Sequence, residues 1–169
     1  MLPGPATPNA DATQLMNAID DHSINVNVNT ISGHLDPKSG ATVIGGSFMG
    51  NTVTPATGPL AGKATVETNQ VINPTVLKTA DDYYGTNGKF TLHEVTESYQ
   101  AALISQKNGV SASPAQPGDD TNPASLYYQA HNNLAVKQPA DVYARQNGTK
   151  TEVYVDDHKK PIKVIQVIY

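Results

Sequence analysis

The chain has 169 residues, no cysteine, and 11 lysines and arginines against 15 aspartates and glutamates, which gives a formal net charge of -4. This length suits one domain with a sizeable core, and without thiols any bound metal must be held by nitrogen and oxygen donors. The acidic balance and the single arginine argue against nucleic-acid binding, and no apolar run approaches the roughly 20 residues of a membrane span.

The N-terminal segment is predicted to be a lead-in followed by a short helix. Residues 1–12 hold three prolines and no periodic apolar pattern, so we expect them to be disordered and to precede a single domain at 13–169. Thr13 is the predicted N-cap of the helix. Its inward-facing residues are expected to be Leu15, Met16 and Ile19.

Three strands are predicted in the first half of the chain. Apolar residues alternate with asparagines over 23–30, as in a half-buried strand. A second strand is expected at 41–48, after a turn rich in Asp, Pro and Gly, and a third at 63–72. The segment 51–62 is rich in Pro, Gly and Thr and is expected to be a long loop.

Helices are predicted in the middle of the chain. Asn73-Pro74 opens a short helix in the preferred way, with asparagine as N-cap and proline at the first helical position. The strongest helix pattern covers 91–106, where apolar residues recur three and four apart until Asn108-Gly109. After a polar loop, a further helix with the same Asn-Pro start is predicted over 122–137.

The C-terminal tail is predicted to form a β-hairpin. Its strands are expected at 150–155 and 161–169, joined by a polar turn. The order of strands, then helices, then a hairpin favours an α+β fold, with a small antiparallel or mixed sheet, an active-site helix and a second packed helix.

His93, Glu94 and Glu97 form the candidate chemical motif, on the strongest predicted helix. Side chains four apart lie on one face of a helix, one turn from each other, so His93 and Glu97 can reach a shared metal ion. His-Glu-x-x-His helices bind zinc with this spacing, and a carboxylate is an accepted zinc ligand. Glu94 holds the position of a general base, able to take a proton from metal-bound water.

A catalytic zinc site has three protein ligands and an open position for water. His131 is the preferred third ligand, since antiparallel packing of the two predicted helices could bring it to the His93 face. The predicted cofactor is therefore zinc. The alternatives for the third ligand are Asp81, Asp82, Asp141 and His158.

The stretch 91–99, Thr-Leu-His-Glu-Val-Thr-Glu-Ser-Tyr, resembles the active-site helix of zincin-like bacterial metallopeptidases, in a variant with Glu at the last motif position. The resemblance implies a minimal zincin-like fold and a metal-activated water that attacks the carbonyl of a peptide or protein substrate. With His131, the ligand set is similar to that of gluzincins, in a permuted order. An extended peptide is expected to lie along the strand near 66–72. The polar-tipped aromatics suited to substrate binding are Tyr99, Tyr127 and Tyr128.

Each of these residues also has a simpler interpretation. Thr91 and Glu94 fit a helix capping box, in which Glu94 bonds backbone amides and is not a base. His131 fits a histidine on a helix surface, and the tyrosines fit ordinary packing.

A second hypothesis makes the chain a β-rich binding or structural module with a structural or vestigial metal site. Low charge and abundant Asn, Thr, Gly and Ala are typical of exported bacterial proteins. We therefore expect a secreted or cell-surface location, as part of a larger polypeptide or with a signal removed, because the first residues lack a secretory signal. The sequence indicates no oligomeric state.

Overall fold

The structure is a computed structural model that describes residues 9–57, 62–116, 118–147, 150–156 and 162–168. Its elements follow in the order α1 (Ala10–Asp20), β1 (Ile24–Thr30), β2 (Gly46–Thr54), β3 (Thr65–Ile72), α2 (Pro74–Tyr84), α3 (Lys89–Asn108), a 3-10 turn (Asp119–Thr121), α4 (Leu126–Tyr128), a π-helix (Gln129–Leu134), β4 (Asp141–Asn147), β5 (Lys150–Asp156) and β6 (Ile162–Ile168). Within the described residues, no helix has both the length and the apolar character needed to cross a membrane.

A three-stranded mixed sheet organises the first half of the chain. β3 lies in the middle, parallel to β1 and antiparallel to β2. The predicted α+β class with a small mixed sheet is therefore confirmed. Both edges of β3 are already paired, so the prediction that a peptide docks along 66–72 is wrong.

β3 alternates between two faces, because successive side chains of a strand point to opposite sides. Its outward Glu67 accepts hydrogen bonds from Asn25 and Asn27 of β1, at 2.9 and 3.0 Å. Its inward side chains lie beneath α3 and are buried: Val66, Thr68, Gln70 and Ile72. Two polar side chains thus lie within the core, under the helix that carries the candidate motif.

α3 contains the predicted helix 91–106 and is longer at both ends. Its first turn is held by the Asp81 carboxylate, which accepts hydrogen bonds from the backbone N–H of Lys89 at 2.9 Å and from a threonine hydroxyl. Gly109, at φ 68°, ends the helix in the left-handed conformation that glycine favours. Glu94 does not cap the helix, so the capping-box interpretation is wrong.

The N-terminal helix starts earlier than predicted and is less buried. α1 begins at Ala10 with Asn9, not Thr13, as its N-cap, so the predicted disordered lead-in does not extend to residue 12. Residues 1–8 lie outside the described part. Met16 and Ile19 are 49% and 66% exposed. The inward orientation predicted for them is wrong, because α1 lies at the surface and buries none of its residues completely.

β2 is displaced from the strand predicted at 41–48. Residues 36–41 form a turn closed by a backbone hydrogen bond between its ends, and the next residues make only an isolated bridge. The continuous strand begins at Gly46 and ends at Thr54, inside the loop predicted at 51–62, because it pairs with β3 over this length.

The last third of the chain also differs from the prediction. In place of one helix over 122–137, α4 starts after Ser125 and continues into the π-helix, which ends at Leu134. At the C-terminus, β4, β5 and β6 form an antiparallel sheet in that order. The strands predicted at 150–155 and 161–169 do pair with each other as β5 and β6, but β4 pairs with the other side of β5, so the C-terminus is a three-stranded sheet and not the predicted two-stranded hairpin. No sequence pattern predicted β4. The turn at 157–161 lies outside the described residues.

Candidate metal centre

Three donor atoms from two elements, α3 and the π-helix, converge at one point. His93 Nε2 lies 3.0 Å from His131 Nδ1 and 3.7 Å from Glu97 Oε2, and His131 Nδ1 lies 2.5 Å from Glu97 Oε2. Donors about 2.1 Å from a tetrahedral zinc ion stand about 3.4 Å from one another. The 3.0 and 3.7 Å spacings are close to this value, whereas the 2.5 Å between His131 Nδ1 and Glu97 Oε2 is that of a short hydrogen bond and would have to lengthen around an ion. The three side chains form a group that could hold a metal ion.

α3 supplies two of these donors from adjacent turns. His93 and Glu97 lie four residues apart, which places them on one helix face. Their side chains are only 3% and 1% exposed, because that face packs on the mixed sheet. In such a water-poor site an imidazole and a carboxylate each need a polar or charged partner.

Two hydrogen bonds between the Val136 backbone and α3 position His131, which carries the third donor. The Val136 N–H donates to the Thr96 hydroxyl at 3.0 Å, and the Val136 carbonyl accepts from His93 Nδ1 at 2.6 Å. Because Val136 closely follows the π-helix, these two hydrogen bonds hold His131 beside the candidate ligands of α3. π-helical turns are frequent at functional sites.

The Val136 carbonyl also fixes the tautomer of His93. When Nδ1–H donates to a carbonyl, Nε2 is left unprotonated and able to bind a metal. Burial lowers the pKa of His93 by more than the charge of Glu97 raises it, which favours the neutral ring. His131 behaves in the opposite way: burial alone would lower its pKa, but the hydrogen bond and the charge of Glu97 outweigh burial and raise it.

This cluster is the observation on which any functional assignment depends. No protein-family model, curated protein or solved structure matches the chain. The findings thus amount to an α+β fold and a His–Glu–His group able to bind a metal ion. The likeness of residues 91–99 to a zincin helix remains a resemblance.

Glu94 is buried next to the cluster. Its Oε2 accepts a hydrogen bond from the Gln70 amide at 2.6 Å. The carboxylate lies directly over Gly46 of β2, where a Cβ atom would be 1.9 Å from Oε2, so only glycine fits without displacing it. Burial, and after it the charge of Glu97, raises the pKa of Glu94 well above its usual range.

A cleft of about 370 Å³ opens beside these residues. Its walls include Gly46, Glu94, Tyr127, His131 and Asp141. The His131 side chain is 17% exposed, whereas the two candidate ligands on α3, His93 and Glu97, are almost completely buried. A molecule entering the cleft would therefore reach the cluster from the His131 side and would also meet Glu94.

The three predicted substrate-binding tyrosines lie in different places. Tyr127 stacks on His131 with ring centroids 5.2 Å apart, its hydroxyl is 3.4 Å from Nδ1, and burial followed by nearby carboxylates raises its pKa. Tyr128 is half-buried, and its backbone N–H donates to the hydroxyl of Ser125, the N-cap of α4. Tyr99 packs in the core, and its hydroxyl donates to Asp21 at 3.2 Å. Tyr99 is therefore a core residue and not a wall of the cleft.

The alternative third ligands do not join the cluster. Asp81 caps α3, and Asp82 forms an exposed ion pair with Lys78. Asp141 lines the cleft but is not part of the donor group. His158 lies outside the described residues.

Four residues around the cluster were not predicted to belong to it: Gly46, Gln70, Thr96 and Val136. Gln70 does carry a signal, since it occupies an inward position in the alternation of 65–72, and a polar residue at a buried position needs a hydrogen-bond partner. The contact between Thr96 and Val136 has no such signal, because it joins residues 40 apart.

Proposed function

We propose that this protein is a zinc-dependent hydrolase that cleaves peptide or other amide bonds. The observation that carries the proposal is the convergence of His93, Glu97 and His131 beside a cleft that also contains Glu94. Two histidines and one carboxylate, with a further position left for water or substrate, are typical of catalytic zinc sites.

The donor set favours zinc among the common divalent ions. Magnesium and calcium prefer oxygen ligands, whereas imidazole nitrogen suits zinc. His93 and His131 offer two nitrogens, and Glu97 offers one oxygen. When bound, zinc would supply a Lewis acid that polarises a carbonyl and makes water acidic near neutral pH.

Glu94 is the proposed general base. Its carboxylate lines the cleft, bonded to Gln70 and packed on Gly46. Glu94 would accept a proton from the attacking water while the new C–O bond forms, and would deliver that proton to the leaving amine as the C–N bond breaks. Tyr127, beside His131, would donate a hydrogen bond to the substrate from the wall of the cleft.

The alternative is a structural metal site in a binding module. Structural zinc sites are closed by four protein donors, whereas the described residues bring three together. A structural site would also not require Glu94, a carboxylate that lines the cleft beside the three donors. Both observations favour the hydrolase.

Zinc content and the hydrolysis of a library of fluorogenic peptides test the proposal. We expect about one zinc ion per chain, as in a mononuclear catalytic site. Glu94→Gln should keep the zinc and lower hydrolysis by about 10²–10⁴-fold, the range of a general base. His93→Ala should lose both the zinc and the activity.

Asp82→Asn is the matched acid-to-amide control, because Asp82 pairs with Lys78 at the surface. It should change neither zinc content nor hydrolysis. Full activity in Glu94→Gln would remove the role of Glu94, and a wild-type protein that takes up no zinc would refute the metal centre.

A further inference from the structure

Gln70 contacts both acidic side chains of the motif. It extends from the middle strand β3 towards α3 and is completely buried. Its Nε2 donates to Glu94 Oε2 at 2.6 Å and lies 3.4 Å from Glu97 Oε1. One amide group thus bridges the proposed base and one of the proposed metal ligands.

The surroundings of the Gln70 amide oxygen indicate that fold stability alone does not explain why a glutamine occupies this position. Oε1 is buried and has no hydrogen-bond donor among the described residues. A buried acceptor without a donor destabilises a fold, and a Leu or Met would fill the space without that penalty. The opposite amide orientation would turn Oε1 towards two carboxylates, so the carboxylates determine which way the amide points.

We propose that Gln70 is a positioning residue that allows a glutamate to stand where a His-Glu-x-x-His motif has its second histidine. This role rests on the proposed function of the metal centre. Glu94 and Glu97 are three residues apart on α3, so they are neighbours on the helix surface, and both are buried. Two carboxylates in that arrangement repel each other, whereas a carboxylate and a neutral imidazole do not.

The bridging amide gives each carboxylate a separate orientation. Glu97 turns Oε1 towards Gln70, which leaves Oε2 as the single donor facing His131 and His93. Glu94 turns Oε2 towards the same amide and stays in place over Gly46. Without the amide, repulsion would rotate the two carboxylates apart, and the ligand would lose the orientation that a partner group provides.

A double-mutant cycle between Gln70→Leu and Glu97→His tests this role, with zinc affinity measured by competition with a chromogenic chelator. In the wild-type background, Gln70→Leu should weaken zinc binding by about 10-fold to 100-fold, the range for residues that orient a metal ligand. In the Glu97→His background, the same substitution should change affinity by no more than about twofold. The reason is that position 97 then carries neither a charge nor an oxygen for the amide to hold.

The visible spectrum of the cobalt-substituted protein gives a second readout. Gln70→Leu should shift the ligand-field bands in the wild-type background but not in the Glu97→His background. Thr68→Val is the matched control, because Thr68 lies two residues away on the same buried strand face and hydrogen-bonds to Ser98. It should lower stability without changing zinc affinity or the cobalt spectrum.

The outcomes separate the two proposals. If Gln70→Leu does not fold, Gln70→Met replaces it in the cycle, since methionine is unbranched and of similar length. An equal loss of zinc affinity in both backgrounds, or no loss in either, would overturn the role of Gln70 and leave the metal centre standing. A wild-type protein that binds no zinc would refute the metal centre, and the role of Gln70 with it.

Discussion

Carboxylates beside different parts of α3 have opposite surroundings. Glu94 and Glu97, near the start of the helix, are buried close together, and burial and mutual repulsion raise the pKa of Glu94. Asp21 lies beside Tyr99, further along the helix. It accepts hydrogen bonds from Ser23 and from the Tyr99 hydroxyl, a lysine ammonium lies 3.4 Å away, and its pKa is lowered.

We infer from this difference that Asp21 stabilises the fold, whereas Glu94 and Glu97 belong to the proposed functional site. Stability alone favours a buried carboxylate surrounded by donors, or an apolar residue in its place. Near the start of α3, two acids and a histidine (Glu94, Glu97 and His93) are instead buried close together, where water cannot solvate them. Such a grouping destabilises the folded protein and is typical of functional sites. We therefore expect substitutions around Glu94 to change hydrolysis or metal binding, and substitutions around Asp21 to change only stability.

Among the substitutions that test this comparison, the largest effect is expected from Gly46→Ala. The added Cβ would be 1.9 Å from Glu94 Oε2, so the carboxylate must move. Misplacing a catalytic group by about 1 Å lowers a rate by about 100-fold, and we expect that loss in the hydrolysis of fluorogenic peptides. Zinc content should stay unchanged, since the atoms nearest the new Cβ all belong to Glu94.

Gly45→Ala is the matched control for this substitution. Its Cβ would meet the end of the Leu77 side chain at 3.1 Å and Val142 at 3.4 Å, contacts that small side-chain shifts can relieve. Hydrolysis should be almost unaffected. Equal losses in the two alanine variants would point to a general disturbance of β2 and not to a displaced Glu94.

A smaller effect, on stability and metal binding together, is expected from Thr96→Val. The substitution keeps the side-chain shape but removes the hydroxyl that accepts from the Val136 N–H. Thr96 is completely buried, and an unsatisfied buried N–H destabilises a protein by about 1–3 kcal/mol. Because the hydrogen bond between Thr96 and Val136 helps to hold His131 in place, zinc affinity should also fall. Urea unfolding of the metal-free protein and chelator competition measure the two changes.

Thr96→Ser keeps the hydroxyl and removes only a methyl group. We expect it to retain most of the zinc affinity that Thr96→Val loses. If both variants bound zinc equally weakly, the packing of the methyl group, and not the hydrogen bond to Val136, would account for the position of His131.

α3 and its pair of ligands could be predicted because the information is local. The spacing of His93 and Glu97 depends only on the helix period, and the stop at Gly109 depends on one C-cap. α2 is predictable for the same reason, since the Asn73 side chain accepts from a backbone N–H of its first turn at 3.3 Å. Such elements need no knowledge of what packs against them.

The rest of the site depends on contacts between distant parts of the chain. His131 could be proposed as a donor, but the π-helix that turns its Nδ1 towards the cluster follows from no residue pattern. Gln70 reaches Glu94 across 24 residues, and Thr96 reaches Val136 across 40. The first pair exists only after β3 has packed on α3, and the second only after the residues that follow the π-helix have packed on α3, so no single segment specifies either pair.

Asp21→Asn tests the acid beside Tyr99, which we expect to stabilise the fold only. It should have the smallest effect of these substitutions. Burial alone would raise the pKa of Asp21, but hydrogen bonds from Ser23, the charge of Lys63 and the Tyr99 hydroxyl outweigh it and lower the pKa. A carboxyl group whose pKa is lower in the folded state stabilises the fold at neutral pH, and this contribution is lost as the pH falls through the folded-state pKa. We expect the free energy of unfolding to fall by about 0.5–1 kcal/mol at neutral pH, the range of a typical hydrogen bond.

Urea unfolding at neutral pH and at about pH 3, below the ordinary aspartate pKa of about 3.9, measures this contribution. The gap between wild type and Asp21→Asn should shrink in acid, because protonation removes the charge that the variant lacks. Asp20→Asn, at an exposed neighbouring position, should show no gap at either pH. A gap that widened in acid, or a loss of zinc affinity in Asp21→Asn, would contradict the division between a structural acid beside Tyr99 and functional acids at the start of α3.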